Sequence, residues 1–273
     1  SDTVTIGNTL PTLESADIDP LEGPRTATFT CTWSGWADPD DDPETVEFEW
    51  LVDGEPIDGA HNASFTATGL TPGSELRCRV TPTNPEGSGE PALSPPALIT
   101  NAAPYLLAVT VTPTLPTTLD LLQCVPLGGI DADGDLISYH IAWSIDGETV
   151  EGVTSTELPP LVAKRGQSVS CSAIPDDGFE TGDAANASPV VIVNSPPTLT
   201  NALVSPTLGG IAATWSCSHD GLDADGDAIT AGVQWLVNGA PVADGQTFQG
   251  HPLLPDDAVQ CAVTVSDAES STG

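Results

Sequence analysis

The sequence has very few basic residues: five Lys and Arg stand against 39 Asp and Glu, and the formal net charge is −34. Such a charge repels phosphate groups over the whole surface, which argues against nucleic acid and anionic membranes as partners. Lys164 is the single lysine. Most Lys–Asn isopeptide cross-links are therefore excluded, and a covalent staple within the chain has to be a disulfide.

Long apolar runs are also absent. No stretch of about 18 apolar residues occurs, so no part of this segment is predicted to insert into a membrane. Hydrophobic residues still make up 39% of the chain, and the Val, Ile and Leu positions recur periodically, which argues against disorder. No long amphipathic helix can be drawn. The 273 residues are therefore expected to form several small cores built from strands.

The six cysteines occur as three pairs in a repeat of 93 residues, the spacing from Cys31 to Cys124 and from Cys124 to Cys217. In each copy a tryptophan lies between the two cysteines. This order is typical of immunoglobulin domains, in which strands B and F carry the disulfide and the strand C indole packs against it. The alternative is that the cysteines are buried and unpaired. The predicted disulfides and core tryptophans are Cys31–Cys78 with Trp50, Cys124–Cys171 with Trp143, and Cys217–Cys261 with Trp235.

Each copy divides into short β-branched runs separated by turn residues, a pattern typical of an all-β sandwich. An Asp-Gly or Asn-Gly pair follows each Trp strand and favours a tight hairpin, because these residues tolerate φ > 0. The pairs are Asp53-Gly54, Asp146-Gly147 and Asn238-Gly239. The predicted fold is all-β, with three tandem Ig-like β-sandwich domains that each contain one B–F disulfide.

A second repeated phrase marks the domain boundaries: an apolar run, an asparagine (Asn8, Asn101 or Asn194) and a proline within three residues. No flexible Gly/Ser linker occurs, so neighbouring domains are expected to touch and the array to be stiff. The predicted divisions are a G strand over 1–8 from a preceding domain or neighbouring subunit, domain 1 over 9–100, domain 2 over 101–193, and domain 3 over 194–273, which lacks its own G strand.

The two ends of the sequence are complementary in this scheme. The residues Thr3, Val4, Thr5 and Ile6 would supply the strand that the third sandwich lacks. Either the chain is a window of a longer covalent array, or subunits polymerise head to tail by strand addition. Both interpretations predict that its partners are copies of itself or adjacent Ig-like repeats.

Each B–C loop carries three aspartates at alternate positions. Three carboxylates in five residues repel one another unless they are solvated or bridged by a cation, and hard oxygen ligands at this density suit Ca²⁺. Gly134 and Gly226 precede the third acid of their loops, whereas the glycine of an EF-hand follows it, which excludes an EF-hand. The predicted metal ligands are Asp38, Asp40, Asp42, Asp131, Asp133, Asp135, Asp223, Asp225 and Asp227, with Asp177 and Asp267 from the F–G loops at the same pole. Further candidates are Asn84, Glu86, Asp176, Glu269 and the linker asparagines Asn8, Asn101 and Asn194. The alternative is an acidic Asx-turn loop that holds no metal.

No catalytic constellation is evident. The four histidines do not recur at equivalent positions and lack HExxH spacing, and the cysteines are assigned to disulfides. Acids repeated at one loop in three copies favour a structural role over a single active site. We therefore predict that the chain is not an enzyme.

The phrase D-A-D-G-D-x-I-x-x-x-x-x-W-x-(I/V)-(D/N)-G resembles tandem Ig-like repeats of the PKD or cadherin-like kind in large bacterial surface proteins. The resemblance implies extracellular or cell-surface display, stiffening by Ca²⁺, and a role as stalk, adhesin or filament. The leading hypothesis is a structural repeat of an extracellular fibre, filament or stalk. The alternative is a surface adhesin module that binds carbohydrate or protein, for which Trp33 and Trp36 would be the aromatic tip.

Overall fold

The structure is a computed structural model that describes residues 3–5, 7–249 and 252–272. All regular elements in these ranges are strands, and the strands form six sheets, two in each of three consecutive stretches of the chain. The predicted all-β fold of tandem sandwiches, each with one disulfide, is confirmed. The described residues include no helix that could span a bilayer.

The first sandwich packs the sheet β1-β3-β6 against the sheet β2-β10-β7-β4-β5, with β8 and β9 also pairing with β7. Its strands are β1 Ser15–Asp19, β2 Glu22–Pro24, β3 Thr28–Ser34, β4 Thr45–Val52, β5 Glu55–Pro56, β6 Ser64–Thr66, β7 Glu75–Asn84, β8 Gly87–Ser88, β9 Ala92–Leu93 and β10 Ala97–Thr100. Strand β7 alternates along its length, so that Leu76, Cys78 and Val80 are fully buried while Arg77 and Arg79 face outward.

The second and third sandwiches repeat this plan. The second has the sheets β11-β12-β15 and β14-β13-β16-β17, with β18 pairing with β16, and the third has β19-β20-β23 and β22-β21-β24-β25. The strands of the second are β11 Tyr105–Thr112, β12 Leu122–Ile130, β13 Ser138–Ile145, β14 Glu148–Thr149, β15 Glu157–Leu158, β16 Ser168–Asp176, β17 Ala185–Asn186 and β18 Val190–Val191. Those of the third are β19 Thr198–Ser205, β20 Trp215–Leu222, β21 Thr230–Val237, β22 Ala240–Asp244, β23 Thr247–Phe248, β24 Val259–Ser266 and β25 Ser271–Thr272.

One disulfide and one indole lie at the centre of each sandwich. The bonds join Cys31 to Cys78, Cys124 to Cys171 and Cys217 to Cys261. Trp50, Trp143 and Trp235 are at most 1% exposed. Each indole Nε1 donates a hydrogen bond to a backbone carbonyl of the segment beside it, at 2.8–3.0 Å. The polar edge of the ring is thus satisfied while its apolar face fills the core.

The hairpin turns after the Trp strands have the backbone conformation that the sequence predicts. The first turn residues Asp53, Asp146 and Asn238 have φ of 51°, 53° and 53°, and the glycines that follow have φ of 89°, 87° and 82°. Two consecutive residues with positive φ define a type I′ turn, whose twist matches that of the flanking strands.

The chain divides into two compact units. The first contains Ser1–Leu107, Gly128–Tyr139 and Ile174–Asp183, and the second contains Ala108–Leu127, His140–Ala173 and Ala184–Gly273. The loop-bearing end of the second sandwich is thus in the same unit as the first sandwich. Its two cysteines, Cys124 and Cys171, are in the same unit as the third sandwich. The boundaries at 100/101 and 193/194 stay predictions.

Residues 3–5, 7 and 8 form no strand in this structure, and Val4 is 89% exposed. Their pairing with a preceding domain or a neighbouring subunit stays a prediction, and Ile6 lies outside the described residues. In the third sandwich β25 pairs with β24, and Ser271 lies opposite Ser266 as Ser88 lies opposite Thr83 in the first. Strand β25 is therefore the counterpart of β8. The structure leaves open which strand would follow it in this sheet.

Candidate cation sites in the aspartate loops

The second loop is folded around the side chain of its first aspartate. Asp131 Oδ1 accepts the backbone N–H of Asp133 at 2.8 Å and that of Asp135 at 3.0 Å. Gly134 has φ of 80°, which lets the chain reverse so that both N–H groups point at one oxygen. The turn therefore gathers the carboxylates at one place instead of spreading them along the loop.

The F–G loop of the second sandwich adds a fourth carboxylate. Asp177 is 8% exposed, and its Oδ1 accepts the backbone N–H groups of Phe179 and Glu180 at 2.7 Å. One oxygen from each of Asp131, Asp135 and Asp177 lies within 4.8 Å of the others. Oxygen atoms at this spacing can coordinate one ion with the 2.3–2.6 Å bonds that Ca²⁺ forms.

The third loop has the same turn. Asp223 Oδ1 accepts the N–H groups of Asp225 at 2.9 Å and Asp227 at 3.0 Å. Oxygens of these three aspartates also lie within 4.8 Å of one another. The F–G residue Asp267 accepts a hydrogen bond from Asn194 at 2.8 Å, as Asp177 does from Asn101, but it is not a member of this group.

The first loop is organised differently. Asp38 Oδ1 accepts the N–H of Asp40 at 2.8 Å, but the residue in the glycine position, Asp41, is itself left-handed with φ of 59°. The amide of Asn84 lies where the other sandwiches have an F–G aspartate. It donates to Asp38 at 3.2 Å and to Asp42 at 3.3 Å. An amide donor supplies part of the charge compensation that a cation would supply, so this loop is the weakest of the three candidates.

One contact recurs in all three loops. The residue directly after the linker asparagine donates its backbone N–H to the second aspartate: Thr9 to Asp40 at 2.6 Å, Ala102 to Asp133 at 2.8 Å and Ser195 to Asp225 at 2.6 Å. The linker asparagine itself donates to the F–G aspartate in two cases, Asn101 to Asp177 and Asn194 to Asp267, both at 2.8 Å. Each aspartate loop thus holds the incoming linker. The donor is a backbone N–H group, which does not depend on the type of side chain, so this contact could not be predicted from the sequence.

Several ligand-type oxygens in these loops are buried without a hydrogen bond. Four of them, which have no donor among the described residues, are Asp131 Oδ2, Asp133 Oδ1, Asp223 Oδ2 and Asn101 Oδ1, and a fifth, Asp135 Oδ2, faces Arg25 in an ion pair. A buried carboxylate oxygen without a donor is costly. All four are hard acceptors, and a divalent cation would satisfy them. The donor set therefore fits calcium at the second and third loops.

Hydrogen bonds lower the pKa of the two F–G carboxylates. Burial raises the pKa of Asp177, but the hydrogen bonds from Asn101 and from the backbone of Glu180 and Phe179 outweigh it, and the net shift is downward. The Asn194 hydrogen bond is the largest cause that lowers the pKa of Asp267 from 3.8 to about 2. Both groups are therefore anionic, and Asp177 meets the requirement that a carboxylate ligand be deprotonated.

We expect acid to release the Asn194–Asp267 contact only in strongly acidic solution. Because the folded pKa of Asp267 is below the unfolded value, its contribution to stability is present above 3.8 and is lost as the pH falls through about 2. Carboxyl NMR titration in calcium-free buffer measures this, and Asn194→Ala should raise the Asp267 pKa towards 3.8. Asp146, whose pKa is lowered by the Ser168 backbone and Gln167, is the internal control and should not change.

The linker also crosses a glycine at close range. A Cβ added at Gly182 would collide with the carbonyl oxygen of Pro104, and one added at Gly89 would collide with that of Pro11. The two positions are equivalent in their repeats, eleven residues after the second cysteine. Neither glycine has a positive φ, so the close approach of the linker is what requires glycine there.

Gly182→Ala should therefore loosen the linker without altering the turn. Overpacking of this kind costs roughly 1–3 kcal/mol. The matched control is Gly232→Ala in β21, where an added Cβ would meet nothing within 4 Å. Thermal melts of the two variants should separate by several degrees, and equal melting would show that the linker yields easily.

No protein-family model matches the chain, and no curated protein matches it. Among solved structures it is similar to the FN1-FN3 domains of chicken CNTN1, with 14% identity, coverage of 96% of this chain and 93% of that one, and a TM-score of 0.29. It is similar to a calcium-stabilised adhesin with which an Antarctic bacterium reaches out and binds ice, with 15% identity, coverage of 96% and 72%, and a TM-score of 0.32. A stretch of domains from titin gives 15% identity, coverage of 96% and 95%, and a TM-score of 0.36. Structural similarity at TM-scores this low gives no information on the ligand or the function of this chain.

Proposed function

We propose that this chain is a run of structural repeats in an extracellular fibre, filament or stalk, in which calcium bound by the aspartate loops stiffens the joints. The observation that carries the proposal is the recurring bond from the linker backbone to the second aspartate of each loop, Asp40, Asp133 and Asp225. A cation held by the loop would fix the residue that the linker bonds. The same contact at every repeat is what a load-bearing array needs.

The second and third loops are the proposed calcium sites. The ligands would be Asp131, Asp133, Asp135 and Asp177 in one, and Asp223, Asp225 and Asp227 in the other. When bound, the ion supplies two positive charges to carboxylates that otherwise repel one another. The protein folds each loop about its first aspartate and leaves the inward-facing oxygens without hydrogen-bond donors. It also bonds the linker backbone to the second aspartate.

Extracellular location is part of the proposal. The chain has three disulfides, and such bonds form and persist in oxidising compartments. Millimolar calcium outside cells also suits sites of modest affinity, which extracellular modules commonly have. A large negative charge keeps such an array soluble and separate from its neighbours.

Calorimetric calcium titration of the chain and of two single variants tests the assignment. Asp131→Asn and Asp223→Asn should each remove one binding event, because each replaces the carboxylate about which its loop is folded. Glu148→Gln, an exposed strand residue that changes the net charge equally, is the control and should bind as the unaltered chain does. Identical titrations of all four proteins would contradict the proposed sites.

A further inference from the structure

Two of the chain's scarce cationic side chains lie against the aspartate loops. Arg25 forms an ion pair with Asp135, and Arg165 forms one with Asp227. Asp135 and Asp227 are the third aspartates of their loops. The remaining arginines, Arg77 and Arg79, pair with glutamates in strands β7 and β4 of the first sandwich. The net charge of the chain is −34, and yet two of its arginines each contact the third aspartate of a loop, in two successive loops.

Arg25 is held tightly. Its side chain is 13% exposed, and its guanidinium carbon lies 5.2 Å from the centroid of the Phe179 ring. The Nε atom is buried and has no acceptor among the described residues. The guanidinium is thus fixed by the aromatic ring and one carboxylate, and its unused donor is a cost that a second acceptor would relieve.

Arg165 reaches its loop from a different part of its sandwich. Its Nη1 donates to Asn194 Oδ1 at 2.5 Å as well as to Asp227, and Glu269 lies 3.5 Å away. Arg25 precedes the first cysteine of its copy by six residues, whereas Arg165 precedes the second cysteine of its copy by six. The two arginines are therefore not equivalent positions of the repeat, and copying of one motif does not explain their shared target.

The guanidinium and a divalent cation need the same carboxylate. Asp135 belongs to the group of three aspartates around the second candidate site, and Asp227 belongs to the group around the third. A fixed positive charge a few ångströms away repels an incoming cation, and it also occupies one of the ligands.

We propose that Arg25 and Arg165 are built-in competitors of the cation, each holding the third aspartate in the cation-free joint and yielding it when the cation binds. This inference rests on the proposed function, since it specifies how the calcium sites are regulated. The arginine sets a threshold concentration for binding. Below that threshold the arginine also holds the third aspartate in place, because its positive charge substitutes for that of the cation.

The test compares Arg25→Gln and Arg165→Gln with the unaltered chain in a calcium titration. Each variant should bind calcium about tenfold more tightly at one site, because one nearby positive charge is removed. The control is Arg79→Gln, which removes the same charge from a pair with Glu49 at 2.7 Å on the first sandwich and should leave the affinity unchanged. An affinity that stays the same or falls in Arg25→Gln and Arg165→Gln would overturn the competition.

Thermal melting in the presence of a chelator is a second test of the competition, and it does not require calcium to bind. Without calcium the two loop variants should melt below the unaltered chain, because the third aspartate loses its partner. With saturating calcium the difference should vanish or reverse. If no variant binds calcium at millimolar concentration, the proposed function fails and the competition fails with it. If calcium binds but the arginine variants bind no tighter, the competition fails alone.

Discussion

Replacing Cys31 and Cys78 together with alanine should lower the free energy of unfolding of the first sandwich by about 4 kcal/mol. The bond closes a span of 47 residues, and a long closed loop restricts the unfolded chain strongly. Both sulfurs lie in the core formed by Trp50, Leu76 and Val80, so alanine also leaves small cavities. Since isolated domains are stable by only about 5–15 kcal/mol, this loss removes a large part of the stability of the sandwich.

Denaturant unfolding followed by tryptophan fluorescence measures the loss. The comparison is the double replacement of Cys217 and Cys261, which should lower the stability of the third sandwich and leave the first unchanged. Treating the unaltered chain with reductant under native conditions should have little effect, because Cys31 and Cys78 are at most 1% exposed. Rapid native-state reduction, or a double variant as stable as the parent, would contradict the structural role of this bond.

Removing calcium with a chelator should lower the melting temperature by roughly 10–20 °C if calcium is bound as proposed. A ligand at a hundred times its Kd contributes roughly 2.7 kcal/mol to the folded state. A domain of this size shifts by roughly 4–8 °C for each kcal/mol. The effect should fall on the second and third sandwiches, whose aspartate loops contain Asp131 and Asp223. The first loop, in which the Asn84 amide takes the place of an F–G acid, should respond least.

Two controls separate specific binding from screening of the net charge of −34. Sodium chloride at matched ionic strength screens the surface but cannot coordinate the loop. Magnesium has the same charge as calcium but demands a smaller, near-octahedral shell, so it should restore less of the melting temperature. Equal melting in calcium, magnesium and chelator would exclude the calcium sites. A melting temperature that follows ionic strength alone would assign the effect to screening.

The sandwich fold could be predicted because its signals are local or repeated. The Cys, Trp, Cys order occurs three times, and the turn at Asp53-Gly54 and its two counterparts needs a conformation that few residues adopt. Strand alternation, as in β7, follows directly from period-two burial. These features depend on neighbours in sequence or on equivalent positions, so a single sequence suffices to find them.

The details of the site could be predicted only in part. The sequence predicts the loop aspartates and the F–G acid Asp177 as ligands, and the structure brings Asp177 to Asp131 and Asp135. Asp267 is the counterpart of Asp177 and bonds Asn194 as Asp177 bonds Asn101, yet it stays outside the third cluster. The contacts of Arg25 and Arg165 were missed, because each joins residues far apart in sequence and at non-equivalent repeat positions. Only the fold places those side chains beside a carboxylate.

The placement of the few basic residues also limits how the chain can be digested. Proteases of the trypsin class cut after lysine or arginine, and cleavage concentrates in exposed loops. Arg25 is partly buried and packs against Phe179, and Arg77 and Arg79 lie within strand β7. This leaves the loop at Lys164–Arg165 as the accessible point of attack, where Arg165 is engaged in an ion pair with Asp227 but Lys164 is exposed. A chain displayed among secreted proteases would gain persistence from its arginine placement as well as from its disulfides.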